Sequence, residues 1–118
     1  METLDLDWVE RPWGRYAVIY ESPGMWVKTL VIKEWSQLSL QRHEHRTEVW
    51  SVAEGGLTAH IGHGRVYLEP EKLYVVPPGT IHRLINTTRY ELVVTEVAYG
   101  DPDENDIVRL ADDYGRED

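Results

Sequence analysis

Short runs rich in Val, Ile, Thr, Tyr and Trp, each closed by a Gly, Pro, Asn or Ser cluster, fill most of this chain and leave little room for helix. Tyr16–Tyr20 and Trp26–Ile32 flank the turn Ser22-Pro23-Gly24. Further runs fall at Val49–Ala53, Leu57–Ile61, Arg65–Leu68, Leu73–Val76, His82–Asn86 and Tyr90–Ala98. Between them stand the turn formers Glu54-Gly55-Gly56, Gly62-His63-Gly64, Pro77-Pro78-Gly79 and Asn86-Thr87-Thr88. About eight or nine strands at this spacing predict an all-β sandwich or barrel. One short C-terminal helix is predicted over Glu104–Asp112, with Asp103 as N-cap and Ile107, Val108 and Leu110 as its apolar contacts. A chain of 118 residues has room for a single domain, which is expected to occupy residues 1–118.

Charge narrows the partners. Twelve Lys and Arg against 21 Asp and Glu leave a formal net charge of -9. Residues 99–118 carry eight acids against Arg109 and Arg116, a net of -6, so the segment 101–118 is expected to be an acidic helical cap over one end of the barrel. Such a balance repels phosphate backbones and anionic lipid, so neither nucleic acid nor a membrane surface is expected as a partner. No apolar run approaches the ~20 residues that span a bilayer. The N-terminus lacks the basic and apolar regions of a signal peptide, and there is no cysteine to form a disulfide. Cytoplasmic residence is the expectation. Five Trp and seven Tyr stand against no Phe, and Trp8, Trp13 and Trp26 in the N-terminal strands are expected to cover a sheet edge in a homodimer.

The chemistry-bearing residues fall in two segments. The first is Gln41-Arg42-His43-Glu44-His45-Arg46-Thr47-Glu48. Strand alternation turns Gln41 and His43 to one face, with His45 also in phase, and Glu48 returns to the interior after a short turn. In the second, the Pro77-Pro78-Gly79 turn delivers His82 to the start of a strand. An amide oxygen, two imidazoles and a carboxylate converging inside a barrel make a site for a borderline divalent ion. His60 and His63, in a glycine-bounded hairpin, are expected at the surface, and Glu44 is expected to face solvent.

These segments resemble the paired motifs of the cupin superfamily, G-x5-H-x-H-x(3,4)-E-x6-G and G-x5-P-x-G-x2-H-x3-N. With Gln41 and His43 on the two histidine positions, four residues precede Glu48 and six more precede Gly55. Pairing His43 with His45 instead leaves two residues before Glu48, a poor match. The second motif is met by Pro77, Gly79, His82 and Asn86. Motif 1 therefore spans about 35–55 and motif 2 about 71–86, and the ligand set implied is Gln41, His43, Glu48 and His82. The two leading glycines are replaced by Trp35 and Glu71, which puts the local loop geometry in question.

A narrower resemblance runs from about residue 11 to 116. Arg11-Pro12-Trp13-Gly14-Arg15-Tyr16, Leu38-Ser39-Leu40-Gln41-Arg42-His43, Arg46-Thr47-Glu48-Val49-Trp50 and the ending Glu104–Leu110 with Asp112–Arg116 are similar to type II phosphomannose isomerases. In that family the cupin usually follows a mannose-1-phosphate guanylyltransferase, for which 118 residues have no room.

The resemblance implies a jelly-roll cupin barrel that interconverts mannose 6-phosphate and fructose 6-phosphate with one divalent metal. Zinc is the favoured ion, and manganese, iron, cobalt and nickel are compatible with the same donors. The reaction needs a base, a polarising cation and a clamp for the distant phosphate. His45 is the expected base, with Glu48 acting from the metal shell as the alternative and Arg46 beside them. Arg46, Arg83 and Arg109 are the expected sugar-phosphate ligands, with Arg116 also in the matched tail, because guanidinium binds phosphate in bidentate fashion. The competing readings are a non-catalytic metal- and sugar-binding module and, more distantly, an iron oxygenase.

Overall fold

The computed structural model describes residues 5–113. Among these it contains twelve strands and no helix: β1 (Val9–Arg11), β2 (Gly14–Ser22), β3 (Met25–Ile32), β4 (Ser36–Gln37), β5 (Leu40–Arg42), β6 (Arg46–Val52), β7 (Leu57–Ile61), β8 (Gly64–Tyr67), β9 (Tyr74–Val76), β10 (His82–Asn86), β11 (Leu92–Gly100) and β12 (Val108–Ala111). They form two facing antiparallel sheets. One runs β1-β2-β3-β11-β6-β9 and the other β12-β5-β10-β7-β8, with β4 also paired to β10.

The inward faces divide the interior into two ends. β6 alternates strictly, burying Arg46, Glu48, Trp50 and Val52 while Thr47, Val49 and Ser51 are half-buried. β3 turns Trp26, Lys28, Leu30 and Ile32 inward, and β11 turns Leu92, Val94, Glu96 and Ala98 inward. Register sets Val94 opposite Leu30 and Val52, but Glu96 opposite Lys28 and Trp50. One end of the interior is therefore aliphatic, where each buried Leu, Ile or Val contributes about 1.5–3 kcal/mol. The other end gathers Arg46, Glu48, Lys28 and Glu96, and this is where a site can form.

The segment expected as a helix, Glu104–Asp112, is instead a turn followed by β12. Asp103 does act as a cap, since its Oδ1 accepts the Asn105 N–H at 2.9 Å and its carbonyl accepts the Asp106 N–H at 3.0 Å. The helix stops at that one turn. Pairing Val108 with Arg42 and Arg109 with Gln41 satisfies the open edge of β5, and β-branched Ile107 and Val108 favour that extended form. Trp13 and Trp26, expected at a dimer edge, are buried within the protomer at 6% and 5% exposure, while Trp8 is exposed.

Backbone geometry answers the question of the missing glycines. Trp35 and Glu71 are the non-glycine residues with positive φ among those described, at 54° and 68°. The turns keep the left-handed shape that glycine adopts without strain, now carried by side chains that resist it. Gly14 is irreplaceable for a different reason: a Cβ there would lie 1.9 Å from the Val31 carbonyl oxygen. Buried Asn86 closes the second motif by donating Nδ2–H to the carbonyls of Ile32, Lys33 and Tyr90.

Candidate metal centre and its cavity

The turn between β5 and β6, β6 itself and the start of β10 bring His43, Glu48 and His82 together at the polar end, with one ligand atom from each within 4.8 Å of the others. All three are buried. His43 Nδ1 lies 2.6 Å from the Asp106 carbonyl and His82 Nδ1 lies 2.9 Å from the Thr80 carbonyl. A carbonyl only accepts, so both Nδ1 atoms carry the proton and both Nε2 atoms present a lone pair when the rings are neutral. Burial pushes the His82 pKa down, which keeps that ring neutral. Burial alone would raise the Glu48 pKa, but the neighbouring His43 and His82 rings, whenever they are protonated, and the permanent charge of Arg46 outweigh it and hold Glu48 well below the ordinary carboxylate range.

Glu48 Oε2 lies 3.1 Å from His43 Nε2, and Oε1 lies 3.8 Å from His82 Nε2. Lone pairs facing one another at these distances are what a cation reconciles, and Nδ1 anchored on backbone carbonyls is how ligating imidazoles are oriented. The three residues fit a divalent ion. Gln41, opposite His82 in register, is buried and spends its Nε2 on the Ser39 carbonyl and hydroxyl, leaving Oε1 as the donor atom available to the cluster.

Arg46 sits against these donors. Its Nε donates to Glu48 Oε2 at 2.8 Å, its Nη2 donates to His43 Nε2 at 2.9 Å and its Nη1 donates to the Asp103 carbonyl at 3.2 Å. His45 is exposed and lines neither cavity described below. The chain leaves its strand at His43, and the Asp106 carboxylate binds the N–H groups of Glu44 and His45, so alternation no longer carries His45 inward. Arg83 donates to the backbone carbonyls of Leu38 and Ala111. Glu44 and His63 are exposed, and His60 contacts the Gly62 carbonyl. Arg116 lies outside the described residues.

A cavity of about 280 Å³ opens beside the cluster and shares Gln41, Arg46 and Glu96 with a pocket of about 30 Å³ that reaches Glu48 and His82. Four cations line the larger cavity: Arg11, Lys28, Arg46 and Arg109. Two of them, Arg11 and Lys28, were not among the expected ligands. Nor was Glu96, whose Oε2 accepts Trp26 Nε1–H at 3.0 Å. Burial, reinforced by the Glu48 charge, pushes the Glu96 carboxyl up to about 8 against the opposing pull of Lys28, Arg46 and Trp26. The signal for both residues was their phase: a lysine and a glutamate at inward positions of otherwise apolar strands.

Two antiparallel sheets closed around a His-Glu-His cluster define the cupin, or double-stranded β-helix, class. Solved structures agree. A capsular polysaccharide assembling protein, CapF of Staphylococcus aureus, matches 92% of this chain and 35% of its own at TM-score 0.78 and 19% identity. A double-stranded β-helix protein of Klebsiella pneumoniae matches 79% of this chain and 80% of its own at TM-score 0.68 and 18% identity. Within the class the assignment is narrower: residues 3–112 match the family model for the mannose-6-phosphate isomerase C-terminal domain, and the chain belongs to that family. Relatives include a mannose-1-phosphate guanylyltransferase of Escherichia coli, 39% identical over 110 residues, and the xanthan biosynthesis protein XanB of Xanthomonas campestris, 38% identical over 109. Each alignment covers 92% of this chain, which spans only 23% of those proteins' length. No helix among the described residues is long and apolar enough to cross a membrane.

Proposed function

We propose that this chain is a metal-dependent aldose–ketose isomerase that interconverts mannose 6-phosphate and fructose 6-phosphate. The observation that carries the reading is the adjacency of a buried His43–Glu48–His82 cluster and a cation-lined cavity within a chain of this family. Gln41, His43, Glu48 and His82 would hold the ion, zinc by family resemblance. A divalent ion there supplies polarisation of the carbonyl and hydroxyl oxygens of an open-chain sugar.

The remaining work falls to the chain's own side chains. Arg46, fixed by Glu48 and Asp103, would set a permanent positive charge beside the substrate oxygen that becomes anionic in a cis-enediolate. Glu96 faces the cavity with its carboxyl pushed up by burial to about 8, so it can both give and take the proton that moves between C1 and C2. The exposed position of His45 supports giving this role to Glu96 instead. The distant phosphate falls to cavity cations, Arg109 among them. On the same reading the protein works in the cytoplasm as a homodimer; the outer face of β11, with Val93, Thr95, Val97 and Tyr99, is free of charge and supports such pairing.

A non-catalytic metal- and sugar-binding module is the second reading, favoured by the small size, about 30 Å³, of the pocket that reaches Glu48 and His82. A coupled assay of mannose 6-phosphate turnover with zinc, manganese, cobalt and nickel decides between them. Fructose 6-phosphate formation is expected, and no product above background with any ion overturns the isomerase.

A further inference from the structure

The cations of the larger cavity are unequally answered. Arg46 is bound by Glu48, but among the described residues no acidic side chain inside the barrel bonds to Lys28, Arg11 or Arg109. Lys28 is buried at 7% side-chain exposure, and its ammonium lies over the Trp26 ring at 3.7 Å. Its ion-pair partner is Glu104, a 57% exposed residue on the turn between β11 and β12. The Arg109 Nε is buried and has no hydrogen-bond partner among the described residues, an arrangement that costs free energy until an acceptor arrives. Arg11 donates only to the Glu10 carbonyl and stacks on Tyr16. Three cations thus line one cavity, and among the described residues the carboxylate bonded to one of them, Lys28, comes from an exposed turn.

We propose that Glu104 is a built-in competitor at the phosphate end of this cavity, its carboxylate on Lys28 holding the place that a phosphate monoester takes against Lys28, Arg11 and Arg109. A phosphate dianion offers three strong acceptors and twice the charge of a carboxylate, so it displaces Glu104 and fills the vacant Arg109 donor. This rests on the sugar-phosphate part of the reading above and is independent of the metal.

Titration calorimetry of the full chain tests it with inorganic phosphate, mannose 6-phosphate and mannose as separate probes. Glu104→Gln is expected to bind both phosphates about three- to tenfold more tightly than wild type, an effect in the range of one partly exposed ion pair. Lys28→Met and Arg109→Gln are expected to bind both more weakly, and mannose is expected to distinguish none of the variants. Glu69→Gln, which removes a distant surface charge, is expected to match wild type. Tightening for mannose 6-phosphate alone would still support the subsite and assign it to the sugar monoester. Equal affinities in Glu104→Gln and Glu69→Gln, or no phosphate binding in any variant, would overturn the proposal. Phosphate binding with this pattern but no isomerisation would overturn only the isomerase, and turnover with Glu104→Gln unchanged would overturn only the subsite.

Discussion

Replacing Glu96 with Gln should abolish a pH dependence of stability that the wild type carries. Buried beside Glu48, the Glu96 carboxyl is raised from 4.5 to about 8. Between those values the folded chain keeps a proton that the unfolded chain releases, so stability falls as pH rises. The limiting slope is ~1.4 kcal/mol per pH unit. The other shifted groups act outside the upper part of this window. His82, whose pKa is lowered, stabilises with rising pH only up to about 6.5, and Glu48 and Asp106, also lowered, act on the acid side. From about pH 6.5 to 8 the wild type should therefore lose ~2 kcal/mol through this one group. Gln retains an oxygen for the Trp26 N–H and cannot ionise, so its stability should stay level over the same range. Urea unfolding with chelator present, followed by tryptophan fluorescence, measures both. Equal losses in wild type and Glu96→Gln would refute the assignment of a neutral-range proton to Glu96, and with it the acid–base role.

Three further outcomes are expected. Trp35→Gly and Glu71→Gly should each raise stability by about 0.5–1 kcal/mol, because relief of a left-handed non-glycine residue exceeds the added entropy of the unfolded chain; thermal unfolding shows this as a Tm a few degrees higher. Elemental analysis should find His82→Ala depleted of divalent metal and His60→Ala loaded like wild type, and equal content in the two would remove His82 from the ligand set. Asp106→Ala should weaken divalent-metal binding ~10–100-fold by releasing the turn that carries His43, which a chelator competition measures.

Much of the site was legible because it depends on spacing. A strand repeats every two residues, so the inward phase of Glu48 and the Pro77–Gly79 turn before His82 survive without knowledge of the fold. What failed was local inference overruled by distant partners. Asp103 and the apolar residues after it read as a helix start, yet the open edge of β5 recruited Val108–Ala111 as a strand. His45 read as inward by alternation, but the strand ends at Arg42. Lys28 and Glu96 were visible as charges at inward positions of apolar strands; recognising that they face each other requires the β3–β11 register, which no single segment contains.

The turn at Asp103–Asp106 in the acidic C-terminal segment touches the site directly. Its negative charge looks ill-suited to a phosphorylated sugar, but Asp103, Glu104 and Asp106 are already committed. The Asp106 carbonyl fixes the protonated nitrogen of His43, the Asp106 carboxylate holds the backbone of Glu44 and His45, and the Asp103 carbonyl anchors Arg46. Glu104, between them, is the residue paired to Lys28. One short turn therefore touches the metal-ligand cluster and the cation-lined cavity at once.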